Sequence, residues 1–139
     1  MKKEIQIQEA PLDIVYQLRR DVMYPDRSLE EVKLAEDDQC VHWGVYLDGE
    51  VVSVISLFQD GAVFRFRKFA TRTDLQGKGY GSLLLEHTMQ QAQEKGAKMI
   101  WCRARLAAIR LYERFGMYQV GEPAEENGNA FIKMEKQFS

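Results

Sequence analysis

Seven consecutive residues, Gln76-Gly77-Lys78-Gly79-Tyr80-Gly81-Ser82, carry the densest chemical signal in this 139-residue sequence. Glycine has no Cβ, so the backbone there can turn sharply and approach a ligand closely. Behind the turn, Gly81, Leu84, Leu85, Thr88 and Ala92 recur at helical spacing, and Gly96 supplies a C-cap. A glycine-rich turn that opens a helix leaves the first N–H groups without internal partners, and the helix dipole adds positive potential. That is an anion site, to which Lys78 adds a charge, and a pyrophosphate is its natural guest. The Walker pattern fails because Gly79 rather than Ser or Thr follows Lys78. A dinucleotide fingerprint is poorly met, since these glycines lie mid-chain after a six-residue connector, 71–76. For the glycines alone, a flexible turn with one glycine packed on a sheet is the competing reading.

Tyr112 is the second candidate. A phenol of ordinary pKa, about 10, is protonated at neutral pH and can give a proton to a leaving group. The same residue lies on the apolar stripe Ala108, Leu111, Tyr112, Phe115, so its pattern also suits a core position. His42 and His87 could act as bases, although isolated histidines are more often structural. Cys40-x-His42 has no second ligand pair at zinc spacing, so no metal is expected. Cys102 falls in an apolar run and reads as packing. No base is assigned, and a water relay or an amine that arrives neutral would serve instead.

The elements that must position these residues follow from periodicity. Glu4 to Gln8 alternates weakly, as a first strand would. Leu12, Val15, Tyr16 and Arg19 share a helical face, with Leu18 and Val22 beside it, and Pro25 ends that helix. Ser28 and Glu31 have capping-box spacing, which predicts a short second helix. Val41–Leu47 and Val51–Phe58 flank Asp48-Gly49, a favoured hairpin turn, and Asp60-Gly61 leads into a third strand, 62–70. That strand has a phase defect. Ala62, Phe64 and Phe66 share one parity and Phe69 has the other, so a β-bulge near Arg67-Lys68 is expected unless both faces are buried. After the long helix come a strand at Met99–Arg103, the Tyr112 helix ending at Gly116, and closing strands at Met117–Gly121 and Ala130–Lys136. The order β-α-α-β-β-β-α-β-α-β-β describes a mixed α/β fold with helices on the faces of one sheet, in a single domain spanning 1–139.

Charge narrows the function classes. The formal net charge is −2, which argues against a general nucleic-acid binder. Between Ala62 and Arg114, however, eleven basic residues face four acidic ones. The remainder of the chain is acidic, with Glu30, Glu31, Glu36, Asp37 and Asp38 clustered. That cluster could draw in a cationic amine, whereas Arg19 and Arg20 could meet an acidic group on a substrate. No run approaches the roughly 18 apolar residues of a membrane span. The start Met1-Lys2-Lys3-Glu4-Ile5 lacks a signal-peptide core, and two cysteines make no disulfide framework, so a cytoplasmic setting is expected.

Two motifs in register then carry a family resemblance. Gln76-x-x-Gly79-x-Gly81 resembles the [RQ]-x-x-G-x-[GA] signature of the GNAT acetyltransferase superfamily. Some thirty residues on, Ala108-Ile109-Arg110-Leu111-Tyr112-Glu113-Arg114-Phe115-Gly116-Met117 is similar to its A-x-x-x-Y-E-[KR]-x-G-[FM] helix, and Phe131–Lys136 resembles its final strand. The firm similarity covers about residues 62–118. The resemblance implies an acetyl-CoA-dependent N-acetyltransferase acting on a small-molecule or protein amine, with a GNAT-like fold. It implies that the backbone of Phe69, Ala70 and Thr71 pairs with the pantetheine arm. The turn Gln76, Gly77, Lys78, Gly79, Tyr80, Gly81 and Ser82 would bind the pyrophosphate. The acetyl thioester would sit in the gap at the bulge, and Tyr112 would be the general acid. Relatives are often homodimers. Arg105 departs from the pattern, standing where many relatives have Asn, seven residues before the tyrosine. A catalytically silent acyl-CoA-binding module on the same fold is the alternative. Nucleic acid and membrane are not expected partners.

Overall fold

A computed structural model describes residues 4–139; Met1, Lys2 and Lys3, part of the start read above for a signal sequence, lie outside the described residues. Strand β1 (Ile5–Glu9) is followed by helix α1 (Leu12–Met23), the meander β2 (Val41–Leu47), β3 (Glu50–Asp60) and β4 (Val63–Thr71), and helix α2 (Tyr80–Glu94). Strand β5 (Met99–Arg105), helix α3 (Ile109–Arg114) and the hairpin β6 (Tyr118–Glu126) and β7 (Asn129–Gln137) complete the chain. The seven strands form one sheet in the order β1-β2-β3-β4-β5-β7-β6. Every neighbouring pair is antiparallel except β4–β5, which run parallel and are in register only at Val63–Met99, Phe64–Ile100 and Arg65–Trp101. This is the mixed α/β class that the periodicity implied. Among the described residues no helix is long and apolar enough to cross a membrane.

The two sheet faces are covered unequally. Leu84, Leu85, Met89 and Ala92 of α2 and Tyr112 of α3 pack on Val45, Ile55, Leu57, Phe64, Phe66, Ile100, Cys102 and Met134. On the other face, Val15 and Leu18 of α1 pack on Tyr46, Val54 and Ala70, strands β2 to β4. The turns follow their chemistry: Asp48-Gly49 and Asn127-Gly128 adopt positive φ at both residues, as a tight hairpin needs.

The expected second helix is absent as an α-helix. Its capping box forms, with Ser28 N–H donating to Glu31 Oε1 at 3.0 Å and Glu31 N–H to Ser28 Oγ at 3.3 Å. The chain nevertheless makes only single 3₁₀ turns at Glu30–Val32 and Asp37–Gln39. Tertiary bonds take the groups that helical propagation needs. Arg19 Nη1 donates to the Val32 carbonyl at 2.8 Å, and Leu34 N–H donates to Asp37 Oδ2 at 2.7 Å. The last strands also differ from expectation: β6 continues past Gly121, where the first closing strand was expected to end, through Pro123 to Glu126. Pairing passes from Val120–Lys133 to Ala124–Phe131, so Pro123 falls in the bulged, unpaired stretch where no ladder N–H is required.

Arg19 and Asp37 are not substrate contacts but a buried pair, 0% and 2% exposed. Arg19 donates to both Asp37 carboxylate oxygens, at 3.0 and 3.2 Å, and to Ser56 Oγ at 3.2 Å. His42 joins the cluster through Nδ1 to Ser56 Oγ at 2.7 Å and Nε2 to the Asp37 carbonyl at 2.9 Å. Burial pushes the Asp37 carboxyl up, but the Arg19 hydrogen bonds, the Leu34 N–H and the Arg19 charge outweigh it and hold it below the usual carboxylate range. Replacing Arg19 with Met strands the Asp37 charge, and urea titration is expected to show a loss of about 3–5 kcal/mol. Because the folded Asp37 value is depressed, its contribution is present above the unfolded carboxylate pKa and disappears as pH falls through the folded one. Asp37→Asn should therefore flatten the acid limb of the stability profile; an unchanged limb would remove Asp37 from that role.

Candidate functional site

The site begins with one surplus residue. Ser56 pairs with Arg67 and Val54 with Ala70, so the step from Arg67 to Ala70 on β4 matches a shorter step on β3. Lys68 takes up the difference with φ 52°. The bulge expected from the phase defect is thus at Lys68, and it repairs the parity as foreseen. Phe66 and Phe69 now share the α3 side, with Tyr112 at 5.5 and 6.5 Å between ring centroids. Ala70 turns to the α1 side. Because β5 leaves β4 after Arg65, the outer edge of β4 from Phe66 to Thr71 has no strand partner. Its N–H and C=O groups are open to an extended ligand.

A cavity of about 610 Å³ fills the gap. Phe69, Ala70, Thr71 and Gln76 line it with Cys102, Arg105 and Tyr112; the end of α1 and the β6–β7 turn close its far side. Two buried serines that the sequence reading passed over hold the frame. Ser53 Oγ bonds Thr71 Oγ1 at 2.8 Å and donates to the Ala70 carbonyl at 3.2 Å, while Ser56 ties β3 to Arg19 and His42. Their signal was available: polar residues on an otherwise apolar strand.

The glycine-rich turn adjoins the end of this open edge. Gln76 Nε2 donates to the Thr71 carbonyl at 3.0 Å, fastening the turn to β4. Gly79 is the N-cap of α2 at φ 92°, in the left-handed region. The first helical bond runs from Leu83 N–H to the Gly79 carbonyl at 3.1 Å. The N–H groups of Tyr80, Gly81 and Ser82 are thereby left outside the helix's own bonding. Gly81 answers a different need: a Cβ there would stand 3.2 Å from Phe69 Cζ and 3.3 Å from Thr71 Oγ1. Gly77 and Lys78 are exposed at the crest of the turn. Of the ten expected positions, Phe69, Ala70, Thr71 and Gln76 line the cavity, and 77–82 follow Gln76 as the turn and first residues of α2.

Tyr112 is 8% exposed and lines the cavity. Burial, reinforced by the neighbouring Cys102, pushes its phenol well above the ordinary tyrosine range; Arg105 opposes this weakly. It is therefore protonated at neutral pH. Burial also pushes the Cys102 thiol up to about 12, so that cysteine is inert packing, as expected. Neither histidine lines the cavity. His42 is locked in the Arg19 cluster, and His87 packs edge-on against Trp43 at 4.6 Å on α2, away from the cavity. Arg72 bonds Asp74 at 2.7 Å and Glu50 at 3.5 Å.

Comparison with known proteins places this geometry. The acetyltransferase (GNAT) family model matches residues 9–117. The chain is 27% identical over 133 residues to the uncharacterized N-acetyltransferase YitI of Bacillus subtilis (strain 168), covering 89% of each. It is similar in structure to a Lactobacillus plantarum protein assigned as an N-acetyltransferase, with a TM-score of 0.83, 27% identity and 99% of both chains covered. A GNAT family acetyltransferase from Elizabethkingia anophelis, solved with acetyl-CoA bound, shares the fold at a TM-score of 0.74 and 19% identity, with 98% of both chains covered.

The Gly79 conformation can be tested without touching a neighbour, since no atom lies within 4 Å of where its Cβ would be. Gly79→Ala is expected to lower stability by about 1–2 kcal/mol through left-handed strain alone. Unaltered stability in urea titration would show that the turn imposes no such dihedral.

Proposed function

The chain belongs to the acetyltransferase (GNAT) family, and from that premise we propose that residues 1–139 form one catalytic domain that transfers the acetyl group of acetyl-CoA to a primary amine. The observation that carries this reading is a juxtaposition. An unpartnered β4 edge and a protonated tyrosine border one cavity, and a helix N-terminus with free N–H groups adjoins the end of that edge, where Gln76 is fastened to Thr71. Phe69, Ala70 and Thr71 offer backbone groups to the pantetheine arm. The N–H groups from Gly77 to Ser82, with Lys78, offer donors and positive potential to the pyrophosphate.

Transfer forms a C–N bond and breaks the C–S bond of the thioester. The amine nitrogen attacks in its neutral form and sheds a proton to solvent; the departing thiolate takes one. Tyr112 is the donor for that step, because its raised pKa keeps it protonated and the open side of its ring faces the cleft. Backbone N–H groups of the bulged strand supply hydrogen bonds to the oxygen that becomes negative during attack.

Tyr112→Phe is expected to reduce kcat by about 10²–10⁴-fold while leaving acetyl-CoA affinity in calorimetry unchanged. Full turnover by that variant would eliminate the tyrosine's role. A Gly79→Asp/Gly81→Asp double variant puts negative charge at the turn and should abolish acetyl-CoA binding; equal affinity would remove the pyrophosphate assignment. Acetyl-CoA binding with no thiol release across a broad amine panel would instead identify a silent acyl-CoA-binding module.

A further inference from the structure

The acidic cluster that pointed to a cationic acceptor does not face the cavity as a group. Asp37 is spent on Arg19, and Glu36 is paired with Arg67. The cavity's α1 side is basic instead, lined by Arg27, Arg65, Arg67, Lys68, Arg103 and Arg105. Two carboxylates meet this wall, and both are engaged: Glu36 by Arg67, and Glu126 by Arg103 at 2.6 Å. Lys68 Nζ donates to Tyr24 Oη at 2.5 Å. Among the described residues, Arg65 and Arg105 form no ion pair.

These charges are not the ones that serve the glycine-rich turn. Phe64, Phe66, Cys102 and Ala104 are buried on the face under α2 and α3, and the alternating residues Arg65, Arg67, Arg103 and Arg105 project to the opposite face. The register sets Arg65 beside Trp101, and the guanidinium stacks 4.3 Å from that ring's centroid. Stacking orients the planar fork and leaves its edge N–H groups to bind a ligand. Burial and then the charge of Arg67 depress the Arg65 guanidinium below its ordinary range; Glu36 opposes this and Arg103 adds to it. Arg103 stacks similarly over Phe131 at 5.0 Å. Two guanidiniums of the wall, Arg65 and Arg103, are thus seated on aromatic rings, and Arg105 stands beside them without an ion pair among the described residues, a combination that suits a carboxylate or phosphate.

We propose that the acceptor is a small amine that also carries an anionic group, a carboxylate or a phosphate, bound by Arg65 and Arg105 on the α1 side of the cleft. This rests on the acetyltransferase reading and refines its acceptor. It also addresses the missing base: no free carboxylate lines the cavity, and surrounding positive charge lowers the pKa of a bound ammonium group toward its neutral, attacking form.

Matched amine pairs test the proposal, with thiol release as the readout: 4-aminobutyrate against butylamine, and phosphoethanolamine against ethanolamine. At least one charged member should show a KM ten-fold or more below that of its neutral twin, and which pair responds separates carboxylate from phosphate. Arg65→Gln and, independently, the exposed Arg105→Gln should shrink that ratio to about two-fold, an effect that loss of folded protein alone would not produce. Equal KM values within both pairs, or preference for the neutral twins, would overturn the proposal and leave the acetyltransferase reading standing. Should no amine release thiol, that reading fails and calorimetry decides the anion site: binding of a charged member, lost in Arg65→Gln/Arg105→Gln, supports it, and no binding overturns it.

Discussion

One surplus residue in β4 is the constraint on which the cleft depends. A regular strand would carry Phe66, Lys68 and Ala70 on one face and leave Phe69 with Arg67 on the other. With Lys68 bulged at φ 52°, Phe69 instead joins Phe66 and Tyr112, while Ala70 packs beneath α1. Both faces of the strand are then buried correctly on each side of the bulge. The cost of a non-glycine residue in the left-handed region is offset by that packing and by the Lys68 contact to Tyr24. Pairing with β5 has already ended at Arg65, so the bulge lies on the stretch of β4 whose outer edge faces the groove.

The buried Arg19–Asp37 pair fixes the groove's other wall. Arg19 belongs to α1, Asp37 to the 3₁₀ segment, and Ser56 sits on β3 directly opposite Arg67 at the onset of the bulge. The cluster therefore links three separate pieces of chain to the point where the sheet opens. It also draws Glu36, next to Asp37, within reach of Arg67. A charged cluster of this kind contributes little net stability against an apolar replacement, but it imposes direction. A segment with no regular secondary structure is thereby held at the mouth of the cavity.

Most of the architecture was legible because period, turn chemistry and motif agreed. Val41–Leu47 matched its strand without adjustment, Asp48-Gly49 made its hairpin, and Phe69's wrong parity marked the bulge. The failures share a cause: long-range polar bonds invisible to local pattern. Ser28 and Glu31 made their capping box, yet Arg19 claimed the Val32 carbonyl from thirteen residues away, and the helix stopped. Charge alone misassigned Asp37 and Arg19, because a sequence window shows how many charges there are but not which are already neutralised. The glycine turn and Tyr112 were legible as motifs; the basic wall was not, since its residues come from strands whose separation only the sheet order reveals.

On β4 the two ligands would be read by different atoms. The groove proposed for the cofactor is made of main-chain groups and glycines, which keep their geometry whatever side chains stand nearby. The arginine wall projects from the same strand and from β5 as side chains alone. Substitutions at 65, 103 or 105 thus change the chemistry offered to an acceptor without redrawing the groove. The sheet would in effect separate a half of the reaction held by backbone from a half held by side chains.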